Sequence, residues 1–155
     1  YNAFFDELYP FCGQEDMSPV TLALSTKPVG NNAEYAIEAA GPYCFAEGNM
    51  LGLKSVELRG SELLWENAWG KNPLRFGLGQ NIVDTFPGWP DHPTLSSGGW
   101  VEEGLLRVRC FIIGNAPCGV DMLLHFTENC LTVQSRKSFD PATNAYEGVA
   151  TGYKQ

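Results

Sequence analysis

Apolar and polar residues alternate along the second half of the chain, as they do in β-strands that bury one face. The pattern is clear at 101–113, 120–126 and 130–137, which predicts a meander of three antiparallel strands joined by a loop at 114–119 and a short turn. Glu102 and Glu103, before Gly104, are expected at a solvated hairpin tip. The buried face of the first strand is predicted to consist of Leu106, Val108, Cys110 and Ile112.

The first half carries the same alternation in shorter pieces. Gly60 and Ser61 separate two alternating segments, and a glycine there supplies the positive φ that a two-residue hairpin turn needs. A further strand is predicted at 74–78. The segment 84–94 holds three prolines and is expected to be an irregular loop.

About eight short strands without a long helix predict an all-β fold, either an antiparallel barrel or a sandwich, with a lipocalin-like meander. Residues 2–9 place three apolar side chains on one side of a short N-terminal helix. We therefore expect a connecting helix and linker at 1–16, followed by a single β domain over 17–155. Gly98 and Gly99 are expected to form a tight bend before the strand at 101–113.

The formal charge of −8 argues against nucleic acid or an anionic membrane surface as a partner. The five cysteines form no C-x-x-C pair and have no histidine at zinc-ligand spacing, so neither a metal site nor a cofactor is expected. An odd cysteine count favours reduced thiols, which are typical of the cytoplasm. The chain does not begin with methionine, and we expect it to be part of a longer polypeptide.

Catalytic patterns are missing from the sequence. A nucleophile needs a base within reach, and His92 and His125 are the two histidines of the chain. There is no G-x-S-x-G elbow and no S-x-x-K motif, so the chain alone is expected to be non-catalytic. A free-standing enzyme, in which Asp91 and His92 activate a cysteine, Ser96 or Ser97, is the alternative.

Ligand binding is the better functional hypothesis from single residues. Trp65, Trp69 and Trp100 are expected at strand ends or in loops, where they could form a ligand platform together with Arg75. In the alternative interpretation these tryptophans plug the ends of a barrel. The outer face of the strand at 101–113 mixes charge with apolar residues, and its candidate contact residues are Leu105, Phe111 and Ile113.

Four segments, in order, resemble the C-terminal domain that follows the catalytic domain in many bacterial β-lactamase-related, penicillin-binding-protein-like serine hydrolases. They are GPYCFAEGNMLGLKSVELRG (41–60), LRFGLGQNIVDTFPG (74–88), SSGGWVEEGLLRVRCFIIGNAP (96–117) and LLHFTENCLTV (123–133). The turn Thr127-Glu128-Asn129 departs from the family's usual Asp-Gly hairpin.

The resemblance implies a non-catalytic accessory domain whose partner is the catalytic domain of the same parent chain. It would pack on that domain, shape its substrate cleft or mediate homo-oligomers. The catalytic serine and lysine would then lie upstream. The alternative function is a lipocalin-like or carbohydrate-binding module that holds a small ligand with its tryptophans.

Overall fold

The computed structural model describes residues 26–39, 41–87, 89–113, 118–138 and 146–155. The helix expected at 2–9 and the domain boundary expected near residue 16 lie outside these residues. The described part is nearly all β and forms one sheet curved into a nearly closed barrel, so the all-β prediction is confirmed and the barrel, not the sandwich, is the form found.

The described residues contain eleven strands, where about eight were expected, and one short 3₁₀ helix at Ala33–Tyr35. The strands are β1 (Tyr43–Phe45), β2 (Ser55–Arg59), β3 (Glu62–Asn67), β4 (Gly70–Arg75), β5 (Gly77–Leu78), β6 (Ile82–Phe86), β7 (Trp89–Glu102), β8 (Leu105–Ile112), β9 (Cys118–Phe126), β10 (Cys130–Ser138) and β11 (Gly148–Lys154). The predicted meander corresponds to β8, β9 and β10.

Two junctions bend this sheet into a barrel. β11 lies between β1 and β10, so it joins the early hairpins β1–β4 to the later meander β7–β10. On the other side, β4 pairs with β3, and the chain continues through Phe76 into β5, which pairs with β7 in parallel. One continuous stretch, residues 70–78, therefore touches both ends of the sheet.

Pro90 and Pro93 lie in β7, and Pro87 lies in the turn after β6, so the prediction of an irregular loop over 84–94 is wrong. β6 pairs with the first part of β7, with Thr85 opposite Pro93. β8 pairs with β7 only from Thr94 onward. Within the described residues, the part of β7 that holds Pro90 and Pro93 therefore has a strand partner, β6, on one side only. A proline's missing N–H removes no ladder hydrogen bond at such an edge.

Gly98 and Gly99 do not form a bend, contrary to expectation, but lie in the middle of extended β7. They face opposite sides of the barrel wall, and each makes room for a different neighbour. A Cβ on Gly98 would collide with the ring of Phe76 inside the barrel. A Cβ on Gly99 would collide with the backbone of Gly30 and Asn31, which crosses the outside of β7. The pair therefore permits close packing on both faces of one strand.

Aromatic side chains fill the barrel interior in two groups. Toward the end that carries the β7–β8 and β9–β10 turns, the Phe126 ring lies 5.7 Å from Tyr43 and 5.8 Å from Trp100 between centroids. Toward the opposite end, the Tyr146 ring lies 5.7 Å from Trp65 and 4.9 Å from Phe86. Both groups belong to one buried hydrophobic cluster, which gives the barrel a packed core.

Candidate functional site: the barrel mouth

A cavity of about 480 Å³ lies at the end of the barrel that carries the β7–β8 and β9–β10 turns. We call it the mouth. It is bounded by the segment after the 3₁₀ helix, by the two turns and by the end of β11. Its lining residues are Ile37, Glu38, Glu103, Gly104, Phe126, Thr127, Glu128 and Lys154.

The floor of the mouth is apolar and is held rigidly. Phe126 is buried, and its backbone N–H donates to the Gly104 carbonyl oxygen at 2.8 Å. Gly104 has a φ of 69°, a conformation that favours glycine, and its N–H donates to the Tyr35 carbonyl oxygen at 3.0 Å. The turn between β7 and β8 is thereby fixed to both the 3₁₀ helix and β9.

The rim of the mouth is acidic. The side chains of Glu38, Glu103 and Glu128 are exposed, and none of them forms an ion pair within the part of the chain that the structure describes. Lys154, the basic lining residue, has its Nζ 5.6 Å from the Tyr43 ring centroid, over the ring face. An apolar floor under carboxylates suits a ligand that has an apolar body and a positive charge.

No metal-binding arrangement is present at the mouth or elsewhere in the described ranges. No group of three or more histidine, cysteine, aspartate or glutamate side chains there could hold a metal ion.

The structure does not bring the predicted ligand residues together. Trp65 and Trp100 are buried and belong to the two different aromatic groups of the core. Trp69 is 73% exposed in the β3–β4 turn, at the end of the barrel opposite the mouth. Arg75 lies on the outer wall, where its Nε donates to Glu62 at 2.9 Å and its Nη1 lies 3.5 Å from Asp84. Of the four, only Trp100 contacts the mouth, through Phe126.

The predicted contact face is not fully exposed either. Phe111 points away from the barrel interior but is only 2% exposed, so it is not available to a separate partner. Leu105 and Ile113 are half-buried. Val29, on the segment that crosses β7, donates its backbone N–H to the Ser97 hydroxyl at 3.0 Å, which ties this segment to the outer wall.

The residues of the alternative catalytic hypothesis are also separated. His92 and Ser96 both lie in β7, and a strand rises about 3.3 Å per residue, so their backbones lie about 13 Å apart. Ser96 is buried, and Ser97 accepts the hydrogen bond from Val29. His125 is exposed on the outer face of β9, between Leu105 of β8 and Thr132 of β10.

Two half-exposed thiols flank one residue on the outer wall. Cys44 and Cys130 lie directly on either side of Tyr153 in the sheet. Two strand spacings put their Cα atoms about 9–10 Å apart. A disulfide needs roughly 4.4–6.8 Å, so the two thiols cannot bridge in this fold.

Cys110 has a different environment. It lies in the barrel core, and burial raises the pKa of its thiol to about 12, although the neighbouring Ser96 acts in the opposite direction. Only roughly one molecule in ten thousand would carry the thiolate at pH 8. Cys110 is therefore expected to be chemically inert in the folded protein.

Alkylation should distinguish the half-exposed cysteines from the buried one. Iodoacetamide at pH 8 is expected to modify Cys44 and Cys130 in the native protein and to leave Cys110 unmodified until urea is added, because Cys44 and Cys130 are half-exposed and Cys110 is buried. Peptide mass spectrometry of native and unfolded samples measures this. Modification of native Cys110 at the rate of Cys44 would show that the barrel core opens readily.

The buried ionisable groups of the core predict that the folded protein is less stable at alkaline pH. Burial raises the pKa of Tyr146 to about 12, as it does that of Cys110, whereas their ordinary values are 10.0 and 9.0. Above pH 9 the unfolded chain loses protons that the folded chain retains, so the free energy of unfolding should fall as pH rises from 9 to 12. Urea titrations at pH 8 and pH 10.5 measure the loss, which should be smaller in Cys110→Ala. An equal loss in that variant would exclude a contribution from the thiol.

The alternation of the sequence did not identify the mouth. Its residues come from four separate segments, and most of them lie in turns or beyond strand ends. The one indication in the sequence is the pair of glutamates before Gly104, which predicts a solvated hairpin tip. That interpretation places Glu103 correctly at a turn but gives no sign that Glu38 and Glu128 lie across a cavity from it.

Comparison with known proteins does not identify a family. No family model, no curated protein and no solved structure matches this chain. No helix in the described ranges is both long enough and apolar enough to span a membrane.

Proposed function

We propose that this chain is a non-catalytic accessory β domain of a serine hydrolase related to the β-lactamases, and that it packs against the catalytic domain of the same polypeptide. The four segments that resemble such domains suggest the family. The observation that carries the proposal is the all-β barrel itself, because the resemblance implies a β domain.

Along each strand of a barrel, residues that face the interior alternate with residues that face outward. Here the outward side chains of Leu95 and Phe111 are 0% and 2% exposed. Arg109, two residues before Phe111 on the same outer face, is also buried. Burying one large apolar side chain contributes about 1.5–3 kcal/mol, so this outer packing adds substantially to stability.

The chain that precedes the barrel runs across this outer wall. Asn32 donates its backbone N–H to the Trp100 carbonyl oxygen at 3.0 Å, and the Asn31 side chain accepts from the Trp100 N–H at 3.0 Å. Asn81 donates to the Thr26 carbonyl oxygen at 2.6 Å. The segment 26–32 is thereby fixed to the outer wall, so a domain that precedes it would be attached beside this wall.

The test begins with the gene. The proposal requires a domain with an S-x-x-K motif upstream in the same open reading frame, and its absence would refute the family assignment. Where that domain is present, the longer polypeptide should turn over chromogenic esters, β-lactams or D-amino-acid peptides, and the 155 residues alone should not. Turnover by the 155 residues alone would refute a non-catalytic role.

The mouth favours a second candidate function, a small-ligand-binding module. A cavity of about 480 Å³ is within the usual size range of small-molecule sites, roughly 300–1,000 Å³. Its lining suits amphiphilic amines better than fatty acids, since the three glutamates would repel a carboxylate. This candidate uses the mouth in place of the tryptophan and arginine platform expected from the sequence.

An NMR titration tests this candidate. Alkyl amines should shift the amide resonances of Gly104 and Phe126 in a saturable way, whereas fatty acids and neutral glycans should not. The double variant Glu103→Gln, Glu128→Gln should weaken amine binding several-fold. Glu147→Gln is the matched control, since Glu147 is an exposed acid at the opposite end of the barrel. A flat response to every ligand, or an equal loss in the control, would count against binding at the mouth.

A further inference from the structure

We draw no further inference here: the strongest candidate, the exposed side chains of Met50, Trp69 and Val149 at the end of the barrel opposite the mouth, is an apolar surface, and nothing in the structure shows what covers it.

Discussion

Replacing Trp65 with alanine is expected to lower the free energy of unfolding by about 3–5 kcal/mol. Trp65 is 2% exposed and packs against Tyr146 within the barrel. Removing its ring would leave a space that is difficult to close, since β3, which carries Trp65, is hydrogen-bonded to β2 and β4 on either side. Urea unfolding followed by circular dichroism measures the change.

Trp69 provides the control for this prediction. It lies four residues further along the chain but is 73% exposed, so Trp69→Ala should change the free energy of unfolding by no more than about 0.5 kcal/mol. A comparable loss in both variants would contradict the placement of Trp65 in the core and Trp69 outside it. If Trp65→Ala does not fold, Trp65→Phe retains most of the apolar volume and allows the comparison.

The second large effect is expected at Gly99. A methyl group on Gly99 would collide with the Gly30 carbonyl group and lie 2.8 Å from the Asn31 Cα. These are backbone atoms and cannot turn aside, so Gly99→Ala should cost about 1–3 kcal/mol or displace the segment that crosses β7. Thermal unfolding measures the cost, and the Val29 amide, which donates to Ser97, reports displacement through faster hydrogen exchange.

Gly30 lies on the other side of the same contact and is the matched control. Apart from Gly30 itself and its two chain neighbours, no heavy atom lies within 4 Å of a Cβ placed on Gly30, so Gly30→Ala should leave stability almost unchanged. Equal destabilisation by the two alanines would show that the contact between the segment and β7 does not determine the requirement for glycine at position 99.

The sequence was sufficient to predict the strands whose pattern is local. β8, β9 and β10 alternate in apolar and polar residues along their length, and the Gly60 turn between β2 and β3 has the expected positive φ, 61°. In each case a single stretch of chain alternates apolar and polar residues with a period of two, and this alternation shows that one face is buried.

Features set by neighbours distant in sequence were not predictable in this way. Gly98 and Gly99 predict a bend when only the local sequence is considered. The Phe76 ring and the Gly30 backbone that require glycine there lie far away along the chain, so the local sequence does not show them. The prolines of 84–94 predict a loop when only the local sequence is considered. In the structure, the first part of β7 pairs with β6 on one side, and this leaves an edge where a proline is tolerated. The mouth assembles side chains from separate segments, so no single stretch indicated it.

The position of β11 has a consequence for the order in which the protein is made. β11 pairs with β1, so Tyr43 meets Lys154, more than a hundred residues later in the chain. During synthesis the early hairpins can form as they leave the ribosome, but the wall between them and the meander stays open until residue 154 has emerged. Such long-range pairing is associated with slow folding. A nascent chain halted before Gly148 would therefore expose the edges of β1 and β10, and such unpaired edges favour aggregation.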